Sequence, residues 1–261
     1  MIITLITDFG IEDGYVGIMK GVMLSINPNL TIVDITHQIP PFDITAAQLV
    51  LNSSYRFFPL NTIHLIVVDP GVGTDRRPIM VKSKDYFFIA PDNGVLTPIL
   101  LKEEKKEIYH LNKPEYFLSK VSSTFHGRDI FAPVAAQLSL GIPYKKIGTI
   151  INEAFISPLP SPSVSNFELL GEIIHIDRFG NAISNISKDD FLSFVKEDSF
   201  IIEINGIFID KISSSYLDSK REKPLALFDS FDLLEIAIRE GNFSKLFGIE
   251  KKQAIKIRVK N

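Results

Sequence analysis

Two aspartates stand where runs of β-branched residues stop. Asp8 closes IITLIT and precedes Phe9-Gly10, while Asp69 follows Val67-Val68 and opens PGVGTDRR. Ligands of open α/β sheets bind beyond the carboxyl ends of the strands, so acids at two such ends point to a shared site. Either one alone also suits an Asx turn or a helix cap. Arg76 and Arg77 lie on the Asp69 loop. A guanidinium folded back onto Asp69 would fix its rotamer and hold it ionised, whereas solvent exposure is the commoner fate of such a pair. His126, in TFHGRDIFAP, precedes a glycine and an acid at a helix start. An imidazole there suits proton transfer or water orientation, and equally a structural hydrogen bond. His37, His64, His110 and His175 lack comparable surroundings and read as structural. Gly71 and Gly73 match neither the dinucleotide fingerprint nor the phosphate-loop pattern, which leaves turn formation or close backbone approach to a ligand.

Further along, IDRFGNAISNI sets Asp177, Phe179 and Asn181 in one tight turn. That turn is either a hairpin corner or a polar and aromatic lip for an adenine or an amino acid, which need a carboxylate, an amide and a ring face. Composition narrows the chemistry. The 261 residues carry 28 Lys+Arg against 31 Asp+Glu, a net charge of −3, with no long basic run, so nucleic acid is not an expected partner. No apolar run approaches the roughly 18 residues of a membrane span, and a cytoplasmic location is expected. Cysteine is absent, which excludes thiolate metal sites and cysteine nucleophiles, and five histidines leave few ligands for zinc.

The elements that must position these groups change in texture along the chain. Up to about residue 156, β-branched runs (2–7, 30–35, 62–68) alternate with helical segments from Gly14 to Ile26 and after Asp43, a plausible N-cap. Met80–Ser83 and Phe87–Ala90 read as a hairpin, and a helix follows Gly127 with Pro133 in its first turns. This predicts an α/β domain, 1–156, with a mostly parallel sheet. SPLPSPS begins a stiff linker, 157–168. Beyond it LLGEIIHI, AISNI and FIIEI with Asn205-Gly206 as a hairpin turn predict a smaller β-barrel domain, 169–261.

Six segments in order, TDFG with Asp13 following, VVDPGVGTDRR, APDNG, FHGRD, IDRFGN and DSFDLLEIA, resemble the S-adenosyl-L-methionine hydroxide adenosyltransferase family, whose superfamily includes fluorinase and chlorinase enzymes. The resemblance runs from Ile3 to near Lys256. It implies an α/β domain followed by a β-barrel domain, a homotrimer with sites at subunit interfaces, and hydrolysis of S-adenosyl-L-methionine to adenosine and L-methionine without a cofactor. By motif position the family's catalytic trio falls on Asp69, Arg76 and His126. Asp8 falls on the ribose hydroxyls, Asp177 on the methionine amine, Asn181 on the adenine and Ser230 on the methionine carboxylate. Phe42, Phe125 and Phe179 fall on apolar walls. The chain departs from its halogenating relatives at Phe231, where fluorinase has an arginine on the methionine carboxylate.

The implied chemistry is an in-line SN2 attack of water on C5′, with the sulfonium as leaving group and Asp69 or His126 accepting the proton. A halogenase on the same scaffold is disfavoured, because a carboxylate at about 4 Å repels a halide by several kcal/mol. Asp8, Asp13, Asp69, Asp92, Asn93 and His126 would also suit a divalent-metal phosphoesterase. A non-catalytic adenosine-binding module is the remaining alternative.

Overall fold

The strand β1 (Ile2–Thr7) is buried along almost its whole length, as expected of a β-branched run flanked by sheet on both sides. The computed structural model describes residues 1–165 and 167–260. By contacts the chain divides into two units, Met1–Pro158 and Leu159–Asn261.

In the first unit β1 pairs in parallel with β2 (Thr31–Thr36) and β3 (Ile63–Val67), and β3 in parallel with β5 (Phe87–Pro91). An antiparallel half extends the sheet through β4 (Pro78–Ser83), β6 (Lys106–His110) and β7 (Thr149–Ile151), giving the order β2-β1-β3-β5-β4-β6-β7. The parallel part is therefore the half that carries Asp8 and Asp69. Alternation along the strands sends Ile3, Leu5, Ile63, Leu65 and Val67 into one core and Ile6, Ile66 and Val68 into the other. α1 (Tyr15–Ile26) and α4 (Ala132–Ser139) cover the first face, α2 (Ile44–Ser54) and α3 (Thr97–Lys102) the second. Asp43 caps α2, accepting from the Ala46 amide at 2.9 Å.

The second unit is a nearly closed barrel. β9 (Glu168–Ile176), β10 (Ala182–Ser187), β14 (Leu233–Ile238) and β13 (Pro224–Phe228) run one way round, and β15 (Ala254–Val259), β11 (Phe200–Ile204) and β12 (Ile207–Ile209) the other. Ile212 bridges to Ala226 where the ends of this path meet. Asn205 and Gly206 both take positive φ, 46° and 75°, the geometry a two-residue hairpin turn needs. The stretch read as a linker is only partly one. Once the prolines end at Pro162, Ser163–Ser165 forms β8 and pairs with β9. α5 (Lys188–Val195) and α6 (Phe243–Phe247) complete the unit. Among the described residues no helix is long and apolar enough to cross a membrane.

Candidate active site

Because Thr7 and Val67 are register partners on adjacent parallel strands, Asp8 and Asp69 leave the sheet at the same edge. Asp8 Oδ2 accepts from the Phe42 amide at 2.9 Å. Burial pushes its carboxyl above the usual range, the Phe42 amide opposes the shift, and the charge of Asp69 adds a smaller upward push. Phe42 itself takes φ 66°, an unfavourable conformation for a bulky side chain.

The loop after β3 folds back as the spacing of Asp69 and Arg76 suggests. Arg76 Nε donates to Asp69 Oδ1 at 2.9 Å, and Arg76 Nη2 donates to Asp69 Oδ2. Arg76 Nη2 also lies 2.9 Å from His126 Nδ1. Both members of the ion pair are buried, with side chains 8% and 7% exposed, and the two-pronged pairing offsets part of their desolvation cost. The guanidinium lies over the Phe131 ring, 5.3 Å from its centroid, and Arg76 Nη1 is buried without a protein hydrogen-bond partner. Gly73 lets the loop reach its neighbour: at φ +79° its α-carbon faces the Ser123 carbonyl so closely that a Cβ would sit 2.3 Å from the oxygen.

His126 begins a π-helical turn, 127–131, that runs into α4. Pro133 has no N–H for the Asp129 carbonyl, which accepts from Leu118 at 2.9 Å instead. The Asp129 carboxylate takes the Ser122 amide and hydroxyl at 2.8 and 2.7 Å. These bonds fasten the segment leading into His126. At Gly127 a Cβ would stand 3.2 Å from Met19 Sδ and from Phe125, so the small residue permits the turn to pack on α1. Burial and, secondarily, the Arg76 charge lower the His126 pKa.

These groups surround a cavity of about 350 Å³ lined by Asp8, Asp69, His126, Phe42, Phe125 and Phe9 among others. Phe9, Tyr15 and Phe125 form a cluster with centroids 5.3–5.8 Å apart, Phe125 meeting the other two edge to face. Phe42 stands at the rim and is 67% exposed. Tyr15 and the wall role of Phe9 escape sequence reasoning, although each lies within two residues of a chemistry-bearing segment, Phe9 beside Asp8 and Tyr15 two positions past Asp13.

The remaining expected site residues lie in the second unit, at two turns of one design. Asp177 Oδ1 accepts from the amides of Phe179 and Asn181, both at 2.9 Å, and Asn181 Nδ2 reaches Asp177 Oδ2 at 3.1 Å. Asp229 Oδ1 likewise accepts from Phe231 and Leu233 at 2.8 and 2.9 Å, with Ser230 exposed on that turn. Since Ala182 pairs with Ile236 and Ser187 with Leu233, the turns sit at opposite ends of the β10–β14 pair. Phe179 and Phe231 are exposed, 74% and 48%. Sequence reading singled out the first turn but missed its similarity to the second, which the D-x-F pattern common to DRF and DSF signals.

The oxygen ligands imagined for a metal phosphoesterase do not gather. Asp13 is exposed, Asp92 is engaged by Arg77 and by the Phe155 amide, and Asn93 donates to the Val68 carbonyl. Among the described residues no group of three or more His, Asp or Glu side chains is placed to hold a metal ion.

Comparison with known proteins agrees with this geometry. Residues 3–148 match the family model of the SAM hydroxide adenosyltransferase N-terminal domain, and residues 171–256 that of its C-terminal domain. An (R)-S-adenosyl-L-methionine hydrolase of Methanocaldococcus jannaschii is 38% identical over 98% of this chain and 95% of its own. One from Thermus thermophilus is 30% identical over 97% of each. The crystal structure of an uncharacterized conserved protein from Thermotoga maritima superposes with a TM-score of 0.91 at 37% identity, covering 99% of this chain and 100% of that one. Two strand-end acids, a hydrogen-bonded Asp-Arg-His chain and an α/β unit followed by a barrel thus coincide with matches over nearly the whole length, and the chain belongs to the SAM hydroxide adenosyltransferase family.

Proposed function

We propose that the protein hydrolyses S-adenosyl-L-methionine to adenosine and L-methionine, by in-line attack of water on the ribose C5′. The observation that carries this reading is the hydrogen-bonded chain Asp69–Arg76–His126 at the wall of a cavity that Asp8 also lines. The sulfonium leaves as a neutral thioether, so the bond to C5′ breaks without protonation and no cofactor is required. What the site must supply is an oriented water and an acceptor for its proton.

Geometry favours Asp69 over His126 as that acceptor. A guanidinium only donates hydrogen bonds, so His126 Nδ1 accepts from Arg76. The lowered pKa favours the neutral ring, whose single hydrogen is then on Nε2. Both ring nitrogens are thereby committed. Asp69 retains lone pairs beyond those facing Arg76 and lines the cavity. Arg76 then holds Asp69, His126 holds Arg76, and Asp8 is set for the ribose hydroxyls. Phe9 and Phe125 give the cavity apolar walls, which favour a step that neutralises charge.

In the second unit Asp177, Asn181 and Ser230 are proposed to take the methionine amine, the adenine and the methionine carboxylate, with Phe179 as an apolar wall. A homotrimer with sites at subunit interfaces, in a cytoplasmic setting, completes the proposal. Exposed Ile11, Tyr15 and Ile18 near the start of α1 supply apolar surface for assembly, and sedimentation velocity tests it. The central experiment is chromatography of the products from S-adenosyl-L-methionine. Adenosine and methionine in equal amounts are expected from the wild type, and full activity in Asp69→Asn would remove the trio from the mechanism.

A further inference from the structure

The segment APDNG lies outside the cavity, yet it grips both ends of the loop that carries Asp69 and Arg76. At the near end Asn93 Nδ2 donates to the Val68 carbonyl at 2.9 Å, one residue before Asp69. At the far end Asp92 takes Arg77, one residue after Arg76: Nε and Nη2 donate to Asp92 Oδ2 at 2.8 and 2.5 Å, and the Asp92 amide donates to the Arg77 carbonyl at 2.9 Å. The second carboxylate oxygen of Asp92 accepts from the Phe155 amide at 2.7 Å, and Arg77 Nη2 also reaches the Glu153 carbonyl at 3.2 Å. The Asp92 carboxylate is 5% exposed. One turn thus fixes the loop's entry, its exit and the strap that follows β7.

Between those anchors the loop's own bonds are few. Val72 donates to the Asp69 carbonyl at 3.3 Å, the Thr74 amide and hydroxyl both donate to the Gly71 carbonyl at 3.1 and 2.7 Å, and the Arg76 amide donates to Thr74 Oγ1 at 3.4 Å. The separation between the carboxylate at one end and the guanidinium near the other therefore depends on where the ends are pinned. We propose that Asp92 and Asn93 are positioning residues for the reaction, setting the approach of Arg76 to Asp69 without touching substrate. This assignment rests on the hydrolase reading above.

The test compares wild type, Asn93→Asp, Asp92→Asn and Arg77→Gln as full-length protein, measuring adenosine release from S-adenosyl-L-methionine and thermal unfolding. Asn93→Asp removes the N–H donor and sets an oxygen against the Val68 carbonyl. Displacements of about an ångström at a reacting centre cost on the order of a hundredfold, so kcat should fall roughly tenfold to a hundredfold while KM stays within about twofold. Arg77→Gln keeps the Asp92 to Phe155 bond and should lower kcat by a smaller factor. It carries the test if Asn93→Asp does not fold.

An unchanged kcat in the folded variants would overturn the proposal, as would an apparent kcat that falls only in proportion to lost folded protein. A second readout is the Nε–H nuclear magnetic resonance signal of Arg76, assigned by its loss in Arg76→Lys. It should move or broaden in Asn93→Asp and in Arg77→Gln, and an unmoved signal overturns the assignment. The signal is read whether or not the substrate is turned over. A wild type that releases no adenosine would therefore remove the hydrolase reading, while the positioning of Arg76 is still decided by the signal.

Discussion

The two units bury carboxyl groups under opposite arrangements. In the first, Asp69 meets Arg76 and Asp92 meets Arg77, each carboxylate facing a cation through more than one N–H. In the second, Glu235 is 3% exposed and its hydrogen bond comes from a phenol, Tyr216 Oη at 2.8 Å. Asp177 and Asp229 add like charge. Burial, with those two acids, pushes the Glu235 carboxyl up to about 7. The two guanidinium-held carboxylates are fixed in place by paired N–H donors. The one held by a phenol sits near its titration point at neutral pH, so the second unit has a built-in response to pH.

Breaking the first arrangement should give the largest effect. Asp69→Asn removes the proposed proton acceptor and leaves the Arg76 guanidinium without its anion, so the rate of adenosine release should fall by roughly two to four orders of magnitude. Initial rates at saturating substrate check this. A fall below tenfold would mean that the pair merely braces the cavity. A second, smaller effect sharpens the contrast from the histidine side. His64 is fully buried, stacked on Phe88 with Nδ1 2.8 Å from Thr4 Oγ1, and burial lowers its pKa to about 3. The unfolded chain takes up its proton near pH 6.5, so stability declines as pH drops from about 6.5 toward 3, by on the order of 4 kcal/mol at the low end. Urea midpoints followed by circular dichroism should show this decline in wild type and a flatter profile in His64→Gln.

Much of this was legible in the residues, and the illegible parts have physical causes. β1, the Asp43 cap and the Asn205-Gly206 turn follow from local signals: β-branched runs, a capping side chain, a turn dipeptide. The return of Arg76 to Asp69 was one of two readings of its loop, and the family resemblance selected it. Of the antiparallel half of the first sheet only the β4–β5 hairpin was legible, from two short runs around a turn; the pairings of β6 and β7 were not, because periodicity tells a strand from a helix but carries no direction of pairing. Nor was the strand Ser163–Ser165, since three residues make no period. Phe42 lines the cavity while 67% exposed, and its positive φ and the bond from its amide to Asp8 had no local signal, since that bond joins distant parts of the chain. Asp92 and Asn93 looked like metal ligands because a carboxylate and an amide suit either role, and only the fold reveals Arg77 and Val68 as their partners.

The second unit's buried acid gives the next effect. The folded pKa of Glu235 lies above its unfolded value, so its contribution is complete below pH about 4.5 and is lost as pH rises through about 7. At pH 8 the loss approaches roughly 3 kcal/mol. Glu235→Gln keeps the shape and a partner for Tyr216, so it should match wild type near pH 4.5 and exceed it in urea midpoint at pH 8. An equal difference at both pH values would mean that ionisation is not the cause.

The smallest effect separates two exposed phenylalanines that sit beside carboxylates. Phe42 and Phe179 both give their amide to an aspartate, Asp8 and Asp177, at 2.9 Å, but Phe42 alone of the pair has positive φ. A left-handed conformation costs a bulky residue on the order of 1 kcal/mol, which glycine avoids. Phe42→Gly should therefore raise the urea midpoint or leave it unchanged, since the relief of strain competes with the greater backbone freedom of the unfolded glycine. Phe179→Gly gains no such relief and should lower it. Both should raise KM for S-adenosyl-L-methionine, because each removes a proposed apolar wall. If Phe42→Gly instead lost stability as Phe179→Gly does, the strain at the cavity rim would be absent, and the Asp8 bond would be holding a conformation the chain already prefers.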